Sequence, residues 1–174
     1  MIVEKKELLP GVWWLQTDLH CDERGFFREL YKENEWADLG LCTNWPQDNV
    51  SYSGRGVLRG LHYSPGQAKL VQVLVGHIQA VAFDTRPSSS VYGSHALVEM
   101  TFSSPSALYL PPGVAFGFSV MSTEAFVYYK VSTEYDPGAS RAINPLDPAL
   151  EIPWWTNSPK VSEADRTAPL WSRA

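Results

Sequence analysis

The chain has 174 residues, 44% of them hydrophobic and 19% charged, the balance of one ordinary globular domain spanning residues 1–174 and not of a disordered chain; a chain this long buries a sizeable core unaided. The formal net charge of −5 excludes a general nucleic-acid-binding surface, and no apolar run approaches the ~18 residues of a membrane span. Cys21 and Cys42 make no disulfide framework, and the N-terminal MIVEKKELLPG lacks a signal peptide's apolar core, so a cytoplasmic location is expected.

Taken in order, GVWWLQ at Gly11–Gln16 reads as a first strand. GFFRELY at Gly25–Tyr31 reads as a second, with Phe27, Glu29 and Tyr31 sharing one face. ENEWADL at Glu33–Leu39 is a short helix ending at Gly40, a left-handed cap. Short β-like runs follow, separated by turn residues: 70–75 and 78–83 around Gly76-His77, then 96–102, 107–110, 117–121 and 125–131. Beyond Tyr135 the chain is rich in Pro, Gly and Asn. Many short strands, with 13% aromatic residues, predict an all-β sandwich or barrel able to enclose one ligand.

The chemistry-bearing stretch is NVSYSGRGVLRGLHYSPGQAKLVQVLV, Asn49–Val75, which holds Arg59, His62 and Lys69. His62 is either a hydrogen-bonded structural histidine or a general base, a role that needs an orienting carboxylate behind it. Arg59 and Lys69 are either solvated cations or an anion site. Strict alternation puts Arg59 and His62 on opposite faces of a strand, so a shared site requires an irregularity, for which Gly60 provides the means. Lys69 alternates with Val71, Val73 and Val75, which aims it into a barrel where it could stabilise an enolate oxygen. Tyr129 shares a face with Val127 and Val131, either packed in the core or offering its hydroxyl to a cavity as an acid. Arg24, Glu29, Gln47 and Asn49, polar loop and edge residues in isolation, could join Arg59 in holding a polyol or diphosphate. SEAD at 162–165 fits a helix start, with Ser162 as cap and Asp165 at the dipole's positive end. No pair among His20, His62, His77 and His95 has ligand spacing, so no metal site is expected, and GRGVLRG lacks the strand-then-helix context of a phosphate loop.

Together these segments resemble one family, the nucleotide-sugar epimerases typified by dTDP-4-dehydrorhamnose 3,5-epimerase. The matching stretches are DERGFFRELY, QDNVSYSGRGVLRGLHY, KLVQVLVGHIQAVAFDTR, VYG, LPPGVAFGF and VYYKVSTEYDP, with a later EIPW. The resemblance implies a cupin-type jelly-roll barrel with a few short helices, mainly near the C-terminus, a homodimer, and no metal or organic cofactor. It implies proton abstraction beside a sugar C4 ketone, with His62 as base, Asp165 orienting it, Lys69 beside the enolate oxygen and Tyr129 as proton donor. Tyr128 and Tyr135 are nearby alternatives to Tyr129. The implied substrate is a nucleotide sugar, dTDP-linked in the typical member, held by Arg24, Phe26, Glu29, Gln47, Asn49 and Arg59, with Phe116 and Ser140 at further substrate-contacting positions.

The sequence departs from the family pattern at Ser64, Phe116, Ser140 and Ala164, where glutamine, histidine, glutamate and a cation are usual. The proton-transfer set is intact while part of the binding shell is not, so the expectation is retained chemistry with inversion at C3, C5 or both. A non-catalytic sugar-binding cupin has no need of an acid–base set, and a metal-dependent cupin oxygenase would need a histidine cluster that this chain lacks.

Overall fold

The computed structural model describes residues 2–172. Its strands in chain order are β1 (Ile2–Leu9), β2 (Val12–Thr17), β3 (His20–Asp22), β4 (Gly25–Phe27), β5 (Gln47–Gly54), β6 (Leu58–Tyr63), β7 (Lys69–Val75), β8 (His77–Asp84), β9 (His95–Thr101), β10 (Ser106–Leu110), β11 (Val114–Val120), β12 (Glu124–Val131) and β13 (Arg141–Ala142). The helices are short: α1 (Glu33–Asp38), a 3-10 turn at Pro148–Leu150, and α2 (Glu163–Arg166). Gly40, just beyond α1, has a φ of +70° and ends the helix as expected.

Two antiparallel sheets face each other. One has the order β1-β2-β10-β7-β12-β5 and the other β13-β6-β11-β8-β9. Non-sequential neighbours such as β7 between β10 and β12 are the crossovers of a jelly roll. Val71, Val73 and Val127 of the first sheet meet Ile78, Ala80, Phe116 and Phe118 of the second in the central core. A second cluster packs Trp36 of α1 on Leu15, Leu70 and Tyr109. A third packs Ile143 and Leu150 of the C-terminal region on Leu61, Val81 and Phe83. Strand β7 therefore has apolar partners on both faces, which is why KLVQVLV reads as a continuous apolar run instead of an alternating one.

The strands differ from the sequence reading in several places. The strand expected at 25–31 stops at Phe27 and pairs with β3 as a two-stranded hairpin. Beyond it the backbone is drawn onto the outer face of β7, where Arg28 donates to the Val73 carbonyl at 2.7 Å and Gln72 donates to the Leu30 carbonyl at 2.7 Å. Strand β1 was not anticipated: IVEKKELL is an edge strand exposed along most of its length, so it lacks an apolar face to announce it. Strand β5 hides similarly, because its inward face carries Gln47, Asn49 and Ser51.

Candidate active site

Strand β6 supplies the first elements. Its register against β11 pairs Phe116 with His62 and Phe118 with Arg59, so four residues on β6 span three on β11. The extra residue puts Arg59 and His62 on one face, as a shared site requires. The irregularity falls at Gly60, where the peptide to Leu61 is cis and φ is +117°. A Cβ at Gly60 would lie 2.6 Å from the Gly117 Cα and 2.7 Å from the Phe116 carbonyl oxygen, so only glycine fits.

The C-terminal segment brings in a carboxylate. Lys160 bridges to the start of β6, with the Leu58 N–H donating to the Lys160 carbonyl at 3.0 Å and the Lys160 N–H to the Gly56 carbonyl at 2.8 Å. Further on, Asn144 donates to the Arg166 carbonyl at 2.7 Å, and Trp171 packs edge-on to Phe83 with centroids 4.8 Å apart. An aromatic contact of this kind is worth about 0.5–1.5 kcal/mol beyond burial. Between these anchors α2 begins at Ser162, whose hydroxyl accepts from the Asp165 N–H at 3.1 Å. The helix-start reading of Asp165 is thus correct for its backbone, while its side chain turns inward. Asp165 Oδ1 lies 2.6 Å from His62 Nε2, across 103 residues of sequence, and Oδ2 accepts from the Gly60 N–H at 3.4 Å.

Asp165 is 5% exposed. Burial pushes its carboxyl up, but the His62 hydrogen bond and charge, with the Gly60 N–H and Ser162, outweigh this and hold it below the ordinary value. An ionised carboxylate only accepts, so in the neutral imidazole His62 Nε2 carries the hydrogen and Nδ1 keeps the lone pair. Such an arrangement can serve as an oriented base.

Around this pair lies a cavity of about 580 Å³, within the range of small-ligand sites. His62, Lys69, Tyr129 and Asp165 all line it, with Gln47, Asn49 and Ser140. Lys69 is 8% exposed, and burial lowers its ammonium from 10.5 to about 8. Burial likewise pushes the Tyr129 phenol up, partly countered by the charge of Arg59, so the phenol stays protonated at neutral pH. The cavity thus holds an oriented base, a buried cation and a protonated phenol. Of the alternatives to Tyr129, the Tyr128 hydroxyl is taken up by Lys130 Nζ at 3.3 Å, whereas Tyr135 lines the rim with 67% exposure. Among the described residues no three His, Cys, Asp or Glu groups are placed to hold a metal ion.

A sequence profile of the family described as dTDP-4-dehydrorhamnose 3,5-epimerase matches residues 6–173. The chain belongs to this epimerase family. It is 36% identical over 170 residues to a dTDP-4-dehydrorhamnose 3-epimerase of Streptomyces niveus, covering 95% of this chain and 82% of the relative. It is 36% identical over 179 residues to the dTDP-4-dehydrorhamnose 3,5-epimerase of Salmonella typhimurium strain LT2, covering 100% of this chain and 98% of the relative. Among solved structures, the dTDP-6-deoxy-D-glucose-3,5-epimerase of Legionella pneumophila Philadelphia 1, in complex with dTDP-4-keto-L-rhamnose, superposes with a TM-score of 0.91 at 34% identity, covering 96% of this chain and 92% of that one.

Within this epimerase fold the remaining expected residues are spread out. Arg59 does not line the cavity; it donates to Ser53 Oγ at 2.8 Å and to the Tyr52 carbonyl at 3.1 Å, near enough to act on Tyr129. Gln47 donates to Asn49 Oδ1 at 2.8 Å and accepts from the Tyr135 N–H at 2.7 Å, so it braces the wall. Phe116 is 8% exposed and packs beside Phe118 in the core, because an apolar ring gains more there than at a wet wall. Arg24 and Phe26 lie away from the cavity on the exposed β3–β4 hairpin, where Arg24 pairs with Asp22. Glu29 lies beyond that hairpin, 3.9 Å from Lys32 Nζ. The sequence reading did not single out Tyr63, Gln67 or Ala142, which also line the cavity. Gln67 was findable, since period-2 spacing puts it on the face of Lys69.

Proposed function

We propose that the protein epimerises a nucleotide-linked 4-keto-6-deoxyhexose without a cofactor, in the making of a deoxysugar such as rhamnose. The carrying observation is the oriented base 2.6 Å from its carboxylate, in one cavity with a buried ammonium and a protonated phenol. A C4 ketone acidifies the hydrogens at C3 and C5. His62 Nδ1 removes one, and the C–H electron pair moves into the ring as an enolate. The Lys69 ammonium faces the enolate oxygen and offsets its charge. Tyr129 then gives its hydroxyl proton to the same carbon from the opposite side, which inverts the centre, and water restores both groups. Asp165 keeps the imidazole in the right tautomer and stabilises its charged form.

The nucleotide end extends over Gln47, Asn49 and the exposed ring of Tyr135, with dTDP as the nucleotide by likeness to the relatives. At Ser140 and Ala164 the wall is short and uncharged, which favours a substrate whose shape or inversion site differs from the family's usual one.

A homodimer completes this reading. Val50 and Tyr52 of edge strand β5 are 62% and 56% exposed, and the Tyr52 ring packs tilted against Phe126 with centroids 5.0 Å apart. Phe126 pairs with Val75, and the Phe102 N–H donates to the Gly76 carbonyl, which joins the patch to the Phe26–Phe102 contact at the hairpin. Patches this continuous are uncommon on monomers, and a second copy covering it would let the hairpin deliver Arg24 and Phe26 to the partner's cavity. Free thiols at Cys21 and Cys42 suit the cytoplasm, and no helix among the described residues is long and apolar enough to cross a membrane.

The test is incubation with dTDP-4-keto-6-deoxyglucose in D₂O, followed by NMR. Deuterium at both C3 and C5 identifies a double epimerase, and deuterium at one position a mono-epimerase. No exchange with this or related nucleotide sugars overturns the proposal.

A further inference from the structure

Among the described residues the Lys69 ammonium makes one hydrogen bond, to Gln67 Oε1 at 3.0 Å. Gln67 in turn donates from Nε2 to the Thr133 carbonyl at 3.0 Å and to Thr133 Oγ1 at 3.1 Å. A carbonyl oxygen only accepts, so the amide's NH₂ end must face Thr133, and its oxygen is thereby turned toward Lys69. The backbone below is pinned to the same segment. The Ala68 N–H donates to Ser132 Oγ at 2.8 Å, and the Ser132 N–H donates to the Ala68 carbonyl at 3.1 Å. The result is a relay of fixed polarity from the turn after β12 to the cation in the cavity.

The choice of an amide has a chemical reason. A lysine stem has four rotatable bonds, and an ammonium in a half-wet cavity adopts many positions unless something holds it. A carboxylate would hold it firmly but would also neutralise it, leaving little charge for an oxyanion forming nearby. A neutral acceptor fixes the position and leaves the charge whole. The amide also favours the protonated amine over the free one, which opposes the burial that lowers Lys69 to about 8. The other titratable groups lining this space are His62 and Tyr63 from β6, Tyr129 from β12, Tyr135 beyond β12 and Asp165 from α2, the last already committed to His62.

We infer that Gln67 is a positioning residue for the epimerisation, aiming the Lys69 ammonium at the enolate oxygen while leaving it its full charge. This rests on the reading of Lys69 as the enolate's partner. Two variants test it: Gln67→Met, which keeps the volume and removes the acceptor, and Gln67→Glu, which replaces the dipole with an anion. Two readouts are needed. Deuterium exchange into dTDP-4-keto-6-deoxyglucose across pH gives kcat, KM and the alkaline limb. NMR titration of ¹³C-methylated lysines, with Lys69 assigned through Lys69→Arg, follows the cation without any substrate.

Gln67→Met is expected to lower kcat about tenfold, the loss of one hydrogen bond to a charged group, with KM changed less than about threefold. It should also move the Lys69 midpoint and the alkaline limb to lower pH. Gln67→Glu should lower kcat as well, yet move both to higher pH. That opposite movement separates a positioning role from a merely structural one, which would shift neither. Wild-type kcat together with an unmoved Lys69 midpoint in either folded variant overturns the inference. If the wild-type protein exchanges no sugar, the epimerase reading fails, and the substrate-free titration still decides whether Gln67 governs Lys69.

Discussion

Replacing Lys69 with methionine should abolish rapid exchange and stabilise the protein at the same time. Lys69 is 8% exposed, and burial lowers its ammonium from 10.5 to about 8. That depression corresponds to about 3 kcal/mol of penalty for holding the charge in the folded state. Below about 8 both folded and unfolded chains carry the proton, so the penalty is present in full. Between about 8 and 10.5 the folded chain releases its proton first, and the unfolded chain binds more protons. Stability therefore rises with pH through that window, and the penalty fades. Lys69→Met removes the charge at every pH. It leaves the Gln67 oxygen without its ammonium, at a cost of about 1 kcal/mol at this partly wet site. The variant should thus gain about 2 kcal/mol at neutral pH, and the gain should shrink as pH rises past the window. Urea unfolding at fixed protomer concentration, at neutral and at alkaline pH, measures this directly. Exchange should fall by about 10²–10³, the usual cost of losing a group that stabilises a developing oxyanion. A variant less stable than wild type at neutral pH, or one whose stability difference is the same at both pH values, would refute the idea of a buried, uncompensated cation.

Other changes probe the remaining parts. Asp165→Asn should leave the fold in place but lower exchange by about 10² or more, because the amide no longer fixes the His62 tautomer. In the wild-type chain the depressed Asp165 carboxyl contributes stability above the ordinary aspartate range near 3.9 that is lost as pH falls through its lower folded value; acid titrations of wild type and Asp165→Asn should converge there. Tyr129→Phe should retain deuterium uptake by the His62 side while slowing formation of the inverted sugar, read by comparing exchange with product in one NMR sample. Gly60→Ala should destabilise by about 3 kcal/mol or fail to fold, since its Cβ would meet backbone at 2.6 Å; normal thermal unfolding would contradict the bulge geometry.

Much of this site is legible along the chain because its parts are local. His62 and Lys69 are close in sequence, and placing Arg59 and His62 on one face requires an irregular strand near Gly60, which the β6–β11 register contains. Lys69 and Tyr129 announce their inward faces through the valines two residues away. The His62–Asp165 contact is different. It spans 103 residues, and the local pattern at Ser162 accounts for Asp165 as a helix start, so resemblance to the family was needed to join the two. Pattern also misleads where an element's face is polar, as at β1 and β5, or where packing on another strand bends the backbone away, as at Arg28 to Tyr31. Arg24 and Phe26 show a further limit, since they lie on an exposed hairpin away from the cavity and nothing in their own stretch of sequence marks that distance.

The proposed chemistry depends on His62 as the base, which a single comparison can test. Wild-type protein and His62→Ala are incubated with dTDP-4-keto-6-deoxyglucose in D₂O, with circular dichroism showing that both are folded. The expected result is deuterium in the sugar ring with wild type and none above the uncatalysed rate with His62→Ala. Wild-type exchange in the folded variant would contradict it.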